Sequence, residues 1–185
     1  MKLSFLLTVM AFLSGVMTPK SGEAQDTPTS ALTHTRDEFT FVAKASYERV
    51  FPLFGAWEEK KWAEGWEPQF VYPTAPRDQP GMVFTIAHGG LKSVWTNTDF
   101  DAVGGHVQYV YVIPDALVTL VDIHLTKAGV NETWVSVVYE RTALSPEAND
   151  HIAHLAKGDA KSGPEWEEAI NRYLAKASTA PASSK

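Results

Sequence analysis

Few residues in this chain could do chemistry, and they are scattered. His88 precedes Gly89-Gly90 at a tight turn, where an imidazole could donate a proton, touch a ligand, or simply bond its own turn. Trp95, Asn97 and Asp99 alternate, so in a strand all three share one face. If that face is inward, Asn97 could orient a ligand carbonyl and Asp99 could act as a base near a rim. If it is outward, both are solvated. Tyr109 is the third titratable candidate, beside His88 and Asp99. His151 and His154 stand at i and i+3, a helical spacing that permits shared metal coordination. No third ligand is placed by spacing, and surface histidines are far commoner than metal sites, so no metal is expected there. Asn131-Glu132-Thr133 matches a glycosylation sequon at a turn, a pattern frequent by chance. There is no phosphate loop, G-x-S-x-G elbow, H-E-x-x-H or dinucleotide fingerprint. With no cysteine, disulfides, thiolate metal sites and thiol nucleophiles are excluded. No catalytic set converges, and no cofactor is expected.

These residues must be positioned by an ordinary globular chain. Its 185 residues are 44% hydrophobic and 21% charged, enough for one domain with a sizeable core. A net charge of −6 argues against nucleic acid or an anionic membrane surface as the main partner. Residues 1–24 read as a signal peptide. Lys2 leads a 15-residue uncharged run, Leu3 to Met17, too short for a comfortable membrane anchor, and Gly22-Glu23-Ala24 offers small residues at a cleavage site. The mature chain is then expected to be periplasmic or secreted, with no stable membrane anchor. Residues 25–36 read as a flexible lead-in, 37–176 as the folded domain and 177–185 as a flexible tail.

Within the domain, Glu38 to Ala45 alternates as an opening strand. Ser46 caps a short helix over Tyr47 to Phe54, and a second covers Trp57 to Ala63, with Glu58, Glu59, Lys60 and Lys61 as a solvated face. Short strands follow at 69–72, 82–87, 91–100, 106–113, 117–126 and 132–144; a proline-rich loop, Pro73 to Pro80, joins the first two, and the later turns are tight enough to require antiparallel neighbours. Alternation places Thr119, Val121, Ile123 and Leu125 on an apolar face with Val135, Val137 and Tyr139 opposite, and turns Asp122 and His124 outward. After Ser145-Pro146-Glu147 the chain is helical. Trp166, Ala169, Ile170, Tyr173 and Leu174 form one apolar stripe that must bury against the sheet. Gly158 and Gly163-Pro164 interrupt this helix, which predicts a kink or a split.

The segment VFPLFGAWEEKKWAEGWEP, the hairpin GMVFTIAHGG, the return strand WTNTDF and the tail WEEAINRYL resemble the START/birch-pollen-allergen (SRPBCC) superfamily, and most of all its bacterial polyketide cyclase/dehydrase-like group. The resemblance covers about Phe39 to Leu174 and also matches His88 to a recurrent histidine. It implies an α+β helix-grip fold: a curved antiparallel sheet of six to seven strands wrapped on a long C-terminal helix, with two short helices after the first strand. It further implies a cavity between sheet and helix. The expected lining is Trp95, Asn97, Tyr109, Val121 and Ile123 from one part of the sheet, Val137 and Tyr139 from another, and Trp166, Ile170 and Tyr173 from the helix. Trp57, Trp62 and Trp66 either grip a guest or seat the short helices on the sheet. Fold does not settle function. The expectation is an exported carrier or sensor for a lipid, polyketide or aromatic compound. The alternatives are an enzyme acting on such a compound, using His88, Asp99 or Tyr109, and an interaction module with a filled core. Oligomeric state is left open.

Overall fold

The computed structural model describes residues 31–88 and 90–179. The signal peptide expected at 1–24 lies outside the described residues. Seven antiparallel strands form one sheet in the order β1-β7-β6-β5-β4-β3-β2. They are β1 (His34–Ala43), β2 (Gln69–Tyr72), β3 (Val83–His88), β4 (Leu91–Asp101), β5 (His106–Ile113), β6 (Leu117–Gly129) and β7 (Glu132–Ala143). Consecutive strands from β2 to β7 are neighbours, as the short connections from β3 onward demand. β1 joins at the far edge beside β7.

β1 starts at His34, inside the stretch expected as a lead-in. Its polar residues are ordered by pairing: His34 lies opposite Thr142 and Arg36 opposite Glu140, with Arg36 Nε 3.5 Å from the Glu140 carboxylate. The first short helix is divided into α1 (Tyr47–Val50) and a 3₁₀ turn (Phe51–Phe54), because Pro52 lacks the amide that would continue it. The second is a 3₁₀ turn over Glu58–Lys61 rather than an α-helix. That difference buries a carboxylate. With three residues per turn, Ala56, Glu59 and Trp62 align on one side, and all three are buried. Glu59 therefore leaves the solvated face expected for its neighbours.

Alternation correctly assigns the apolar rows of β6 and β7, and β5 follows the same rule. Val107, Tyr109, Tyr111 and Ile113 point inward, opposed by Ile123, Val121, Thr119 and Leu117. In β4 it fails at one residue. Asn97 pairs with Tyr109 but Asp99 pairs with Gln108, so a β-bulge at Thr98 shifts the register. Trp95 and Asn97 keep the inner face, and Asp99 is turned to the outer one.

The terminal helix is split. α2 (Asn149–Asp159) and α3 (Gly163–Thr179) meet at a break over residues 160–162. α3 runs into the stretch expected as a tail, where the Ser178 hydroxyl donates to the Leu174 carbonyl at 2.8 Å. Its stripe is seated through Trp166, Ile170 and Leu174, all buried, while Tyr173 is only half-buried. Burying each such side chain is worth roughly 1.5–3 kcal/mol. The Trp166 ring meets Trp62 at 5.2 Å and Phe39 at 5.4 Å. Among the described residues, no helix is long and apolar enough to cross a membrane.

Candidate functional site

Sheet and helices do not close on each other. They leave between them a cavity of about 530 Å³ that opens to solvent. One wall is the inner face of the sheet: Ser93 and Trp95 of β4, Tyr109, Tyr111 and Ile113 of β5, Val121 and Ile123 of β6, and Tyr139 and Arg141 of β7. A second is the 3₁₀ region, with Glu59, Ala63 and Trp66. The third is the helix break, with Leu155, Gly158 and Asp159 of α2, Lys161 and Ser162 of the connection, and Trp166 of α3. The bend expected from Gly158 and Gly163-Pro164 thus forms part of the wall.

Aromatic rings shape most of the interior. Trp95 stacks on Tyr111 with centroids 4.1 Å apart and meets Trp66 edge-on at 5.2 Å. Its indole N–H donates to the Ser93 hydroxyl at 2.8 Å, which fixes the ring plane. The three tryptophans of the short-helix region have separate roles. Trp62 is buried and its N–H holds the Leu53 carbonyl at 2.8 Å, a seat for the segment. Trp66 is anchored to the Ala56 carbonyl at 2.8 Å and faces the cavity. Trp57 is exposed, under the Lys60 ammonium.

One end of the cavity is charged, and the sequence reading missed it. Arg141 follows Tyr139 by two residues and so continues the inward row of β7. Its guanidinium forks onto Asp159, with Nε to Oδ2 at 2.5 Å and Nη2 to Oδ1 at 2.8 Å. Nη1 donates to the Tyr111 hydroxyl and to Thr119 Oγ1 at 3.0 Å, while the guanidinium carbon lies 4.5 Å from the Tyr139 ring centre. Burial opposes the charge, but Tyr111 and Asp159 hold Arg141 protonated and push its pKa up. The bidentate geometry, with both Nη1 protons also bonded, is what lets an ion pair persist when both side chains are about nine-tenths covered.

Glu59 is the other hidden group. Burial first, and then the negative charge of Asp78, push its pKa well above the ordinary carboxylate range. That favours a protonated carboxyl lining the cavity. Tyr139 also lines it, and its hydroxyl makes no hydrogen bond among the described residues; burial raises its pKa, with Arg141 pulling the other way.

Of the residues expected to line a cavity, Trp95, Tyr109, Val121, Ile123, Tyr139 and Trp166 do so. Val137 and Ile170 are packed in the core beyond it, and Tyr173 lies outside the lining. Asn97 is fully buried near the Tyr109 ring, and neither of its amide atoms finds a partner of proper geometry. Tyr109 donates its hydroxyl to the Phe54 carbonyl at 3.0 Å and is raised well above its usual pKa, mainly by burial, so it serves as a tie between sheet and 3₁₀ turn rather than a base. Asp99 is removed from the cavity by the bulge. His88 ends β3 opposite Leu91. His154 borders the cavity at α2.

No protein-family model matches the chain, and no curated protein matches it in sequence. Solved structures do match it. Norcoclaurine synthase from Thalictrum flavum, in complex with dopamine and hydroxybenzaldehyde, aligns over 92% of this chain and 100% of its own, with a TM-score of 0.58 and 11% identity. A protein from Rhizobium leguminosarum covers 79% of this chain and 97% of its own, at a TM-score of 0.55 and 12% identity. Ara h 8.0201 covers 78% and 99%, at 0.56 and 10%. The chain carries the same helix-grip fold as these proteins. At such identities the likeness concerns the fold, and the cavity's chemistry is read from this chain's own residues. In this helix-grip protein the grip is made by two helices, and the break between them contributes to the cavity wall.

Proposed function

We propose that this chain is an exported binding protein that holds one small, largely apolar, ring-bearing molecule between sheet and helices. The observation that carries the reading is the cavity itself. Its volume falls in the range of small-molecule sites, and its lining combines aromatic rings from the sheet and the short-helix region with polar and charged side chains from the strands, the short-helix region and the helices. A flat apolar guest would lie against the aromatic wall that Trp66, Trp95 and Tyr139 contribute to the cavity. A carbonyl or hydroxyl on it would meet Glu59, Tyr139 and the Tyr111 O–H, whose oxygen is already committed to Arg141. The similarly folded norcoclaurine synthase holds dopamine and hydroxybenzaldehyde, which supports aromatic compounds as the ligand class. Export is supported by the leader pattern of residues 1–24.

Native mass spectrometry of the protein purified from its own source tests this. A small molecule that co-purifies and is lost on denaturation is the expected result. Protein that arrives empty and takes up no aromatic or fatty-acid probe contradicts it.

A second reading is favoured by Glu59 alone. A carboxyl with a raised pKa facing a cavity can transfer a proton to a bound substrate. Conversion of a co-purifying ligand by the native protein, abolished in Glu59→Gln with binding retained, would mark the chain as an enzyme of that kind.

A further inference from the structure

The outer face of the sheet, opposite the cavity, carries a group of side chains that the binding reading does not use. His106 on β5 and His124 on β6 are directly opposed across the ladder. Their rings stack with centroids 4.5 Å apart and planes 13° apart. Asp122 lies two residues before His124, on the same face, and reaches both rings: Oδ1 is 2.6 Å from His106 Nε2, and Oδ2 is 3.2 Å from His124 Nε2. The other nitrogen of His106, Nδ1, is 2.7 Å from Asp99 Oδ2. Gln108 donates to Asp122 Oδ1 at 3.0 Å.

We propose that His106, Asp122 and His124 form a site for one divalent transition-metal ion of the zinc, copper or nickel type. The three residues each offer a ligand atom, and these atoms lie within 4.8 Å of one another. Two imidazole nitrogens and one carboxylate suit those ions better than calcium or magnesium, which prefer all-oxygen shells. The two imidazole–carboxylate separations are close to those of a metal centre, and binding would require the two stacked rings to tilt out of parallel so that both nitrogens point at one ion. Bonds of about 2.0–2.2 Å at a tetrahedral angle set ligand atoms roughly 3.3 Å apart. The pair from His124 to Asp122 already has that separation. The pair from His106 to Asp122 needs to open by less than about 1 Å. The remaining coordination positions face solvent, since His124 is half exposed.

The strongest support is Asp99. A metal-binding histidine commonly gives its second ring N–H to a carboxylate, which fixes tautomer and orientation. Asp99 occupies that place on His106, and it does so only because the bulge at Thr98 turns it to the outer face. Without the bulge it would point toward the core beside Asn97. Asp99 is thus a positioning residue for His106.

The test is titration of the full-length chain, free of any histidine tag and stripped with a chelator, with Zn²⁺ followed by calorimetry. One ion per chain is expected. His124→Ala should weaken binding by about 100-fold or more, and Asp99→Asn by about 10–100-fold, with Asp99→Glu recovering affinity. His124 is exposed enough that its loss leaves the fold intact, which circular dichroism verifies. The double variant His151→Ala/His154→Ala, on α2, should bind as the wild type does. No saturable binding by the wild type, full affinity in His124→Ala, or loss of binding in the α2 variant would each overturn the site.

Discussion

Arg141 shows how one side chain can organise the closed end of a cavity. It ties β7 to the last residue of α2 through Asp159, and to β5 and β6 through Tyr111 and Thr119. Removing it leaves Asp159 buried without its counter-charge. Arg141→Met should therefore lower stability by about 3–5 kcal/mol, read from urea unfolding, whereas Arg141→Met/Asp159→Leu should lose much less because no orphan charge remains. Equal losses in the two variants would mean that packing, not charge compensation, is what the pair supplies. Glu59 makes a pH-dependent prediction. Its folded pKa lies above the ordinary value of 4.5, so the folded state holds the proton more tightly than the unfolded chain. The stability it contributes is complete below the ordinary value and fades as pH rises through the raised one. As pH rises above the ordinary carboxylate value, the urea midpoint of the wild type should fall relative to that of Glu59→Gln; parallel curves would contradict the assignment. Both residues escaped the sequence reading for identifiable reasons. Arg141 was legible in the alternation of β7, two places after Tyr139, but a charge ending an apolar row reads as the strand's exit to solvent. Glu59 was hidden by assuming a period of 3.6 where the segment turns with a period of three.

At the scale of elements, the order of strands and helices was readable because each turn is short and each apolar row alternates. The split in the terminal helix was readable too, since Gly158, Gly163 and Pro164 all weaken a continuous helix. The bulge at Thr98 was not. Nothing in the types of Asn97, Thr98 and Asp99 marks an extra residue, and only pairing with β5 reveals it. The same corner depends on Gly105, which adopts φ +74° in the turn between β4 and β5 and exchanges backbone bonds with Asp101 and Leu125. A Cβ there would stand 2.2 Å from the Leu125 carbonyl oxygen. Gly105→Ala should cost about 1–3 kcal/mol from backbone conformation alone, with the steric clash added. A thermal midpoint unchanged from the wild type would show that the turn relaxes freely. Loss at this turn should also disturb Asp99 and His106, which flank it.

For the whole molecule, a long antiparallel meander with one face buried under an amphipathic segment followed from the residue pattern, and the helix-grip arrangement of the two followed from the family resemblance. Whether that burial is complete could not be read the same way. A cavity is a deficit of volume, and it depends on how far the 3₁₀ turns, the sheet and the broken helix stand apart, which no pattern of residue types records. The account rests on that space admitting a guest. Ile123 lies on the cavity wall in the middle of β6. Ile123→Trp fills the space from the sheet side, and circular dichroism and thermal unfolding establish that the variant stays folded despite the added bulk. The direct measurement is titration of a fluorescent aromatic or fatty-acid probe into the two proteins. Saturable binding of one probe per wild-type chain, abolished in folded Ile123→Trp, is the predicted result. Equal binding by both, or by neither, would contradict it.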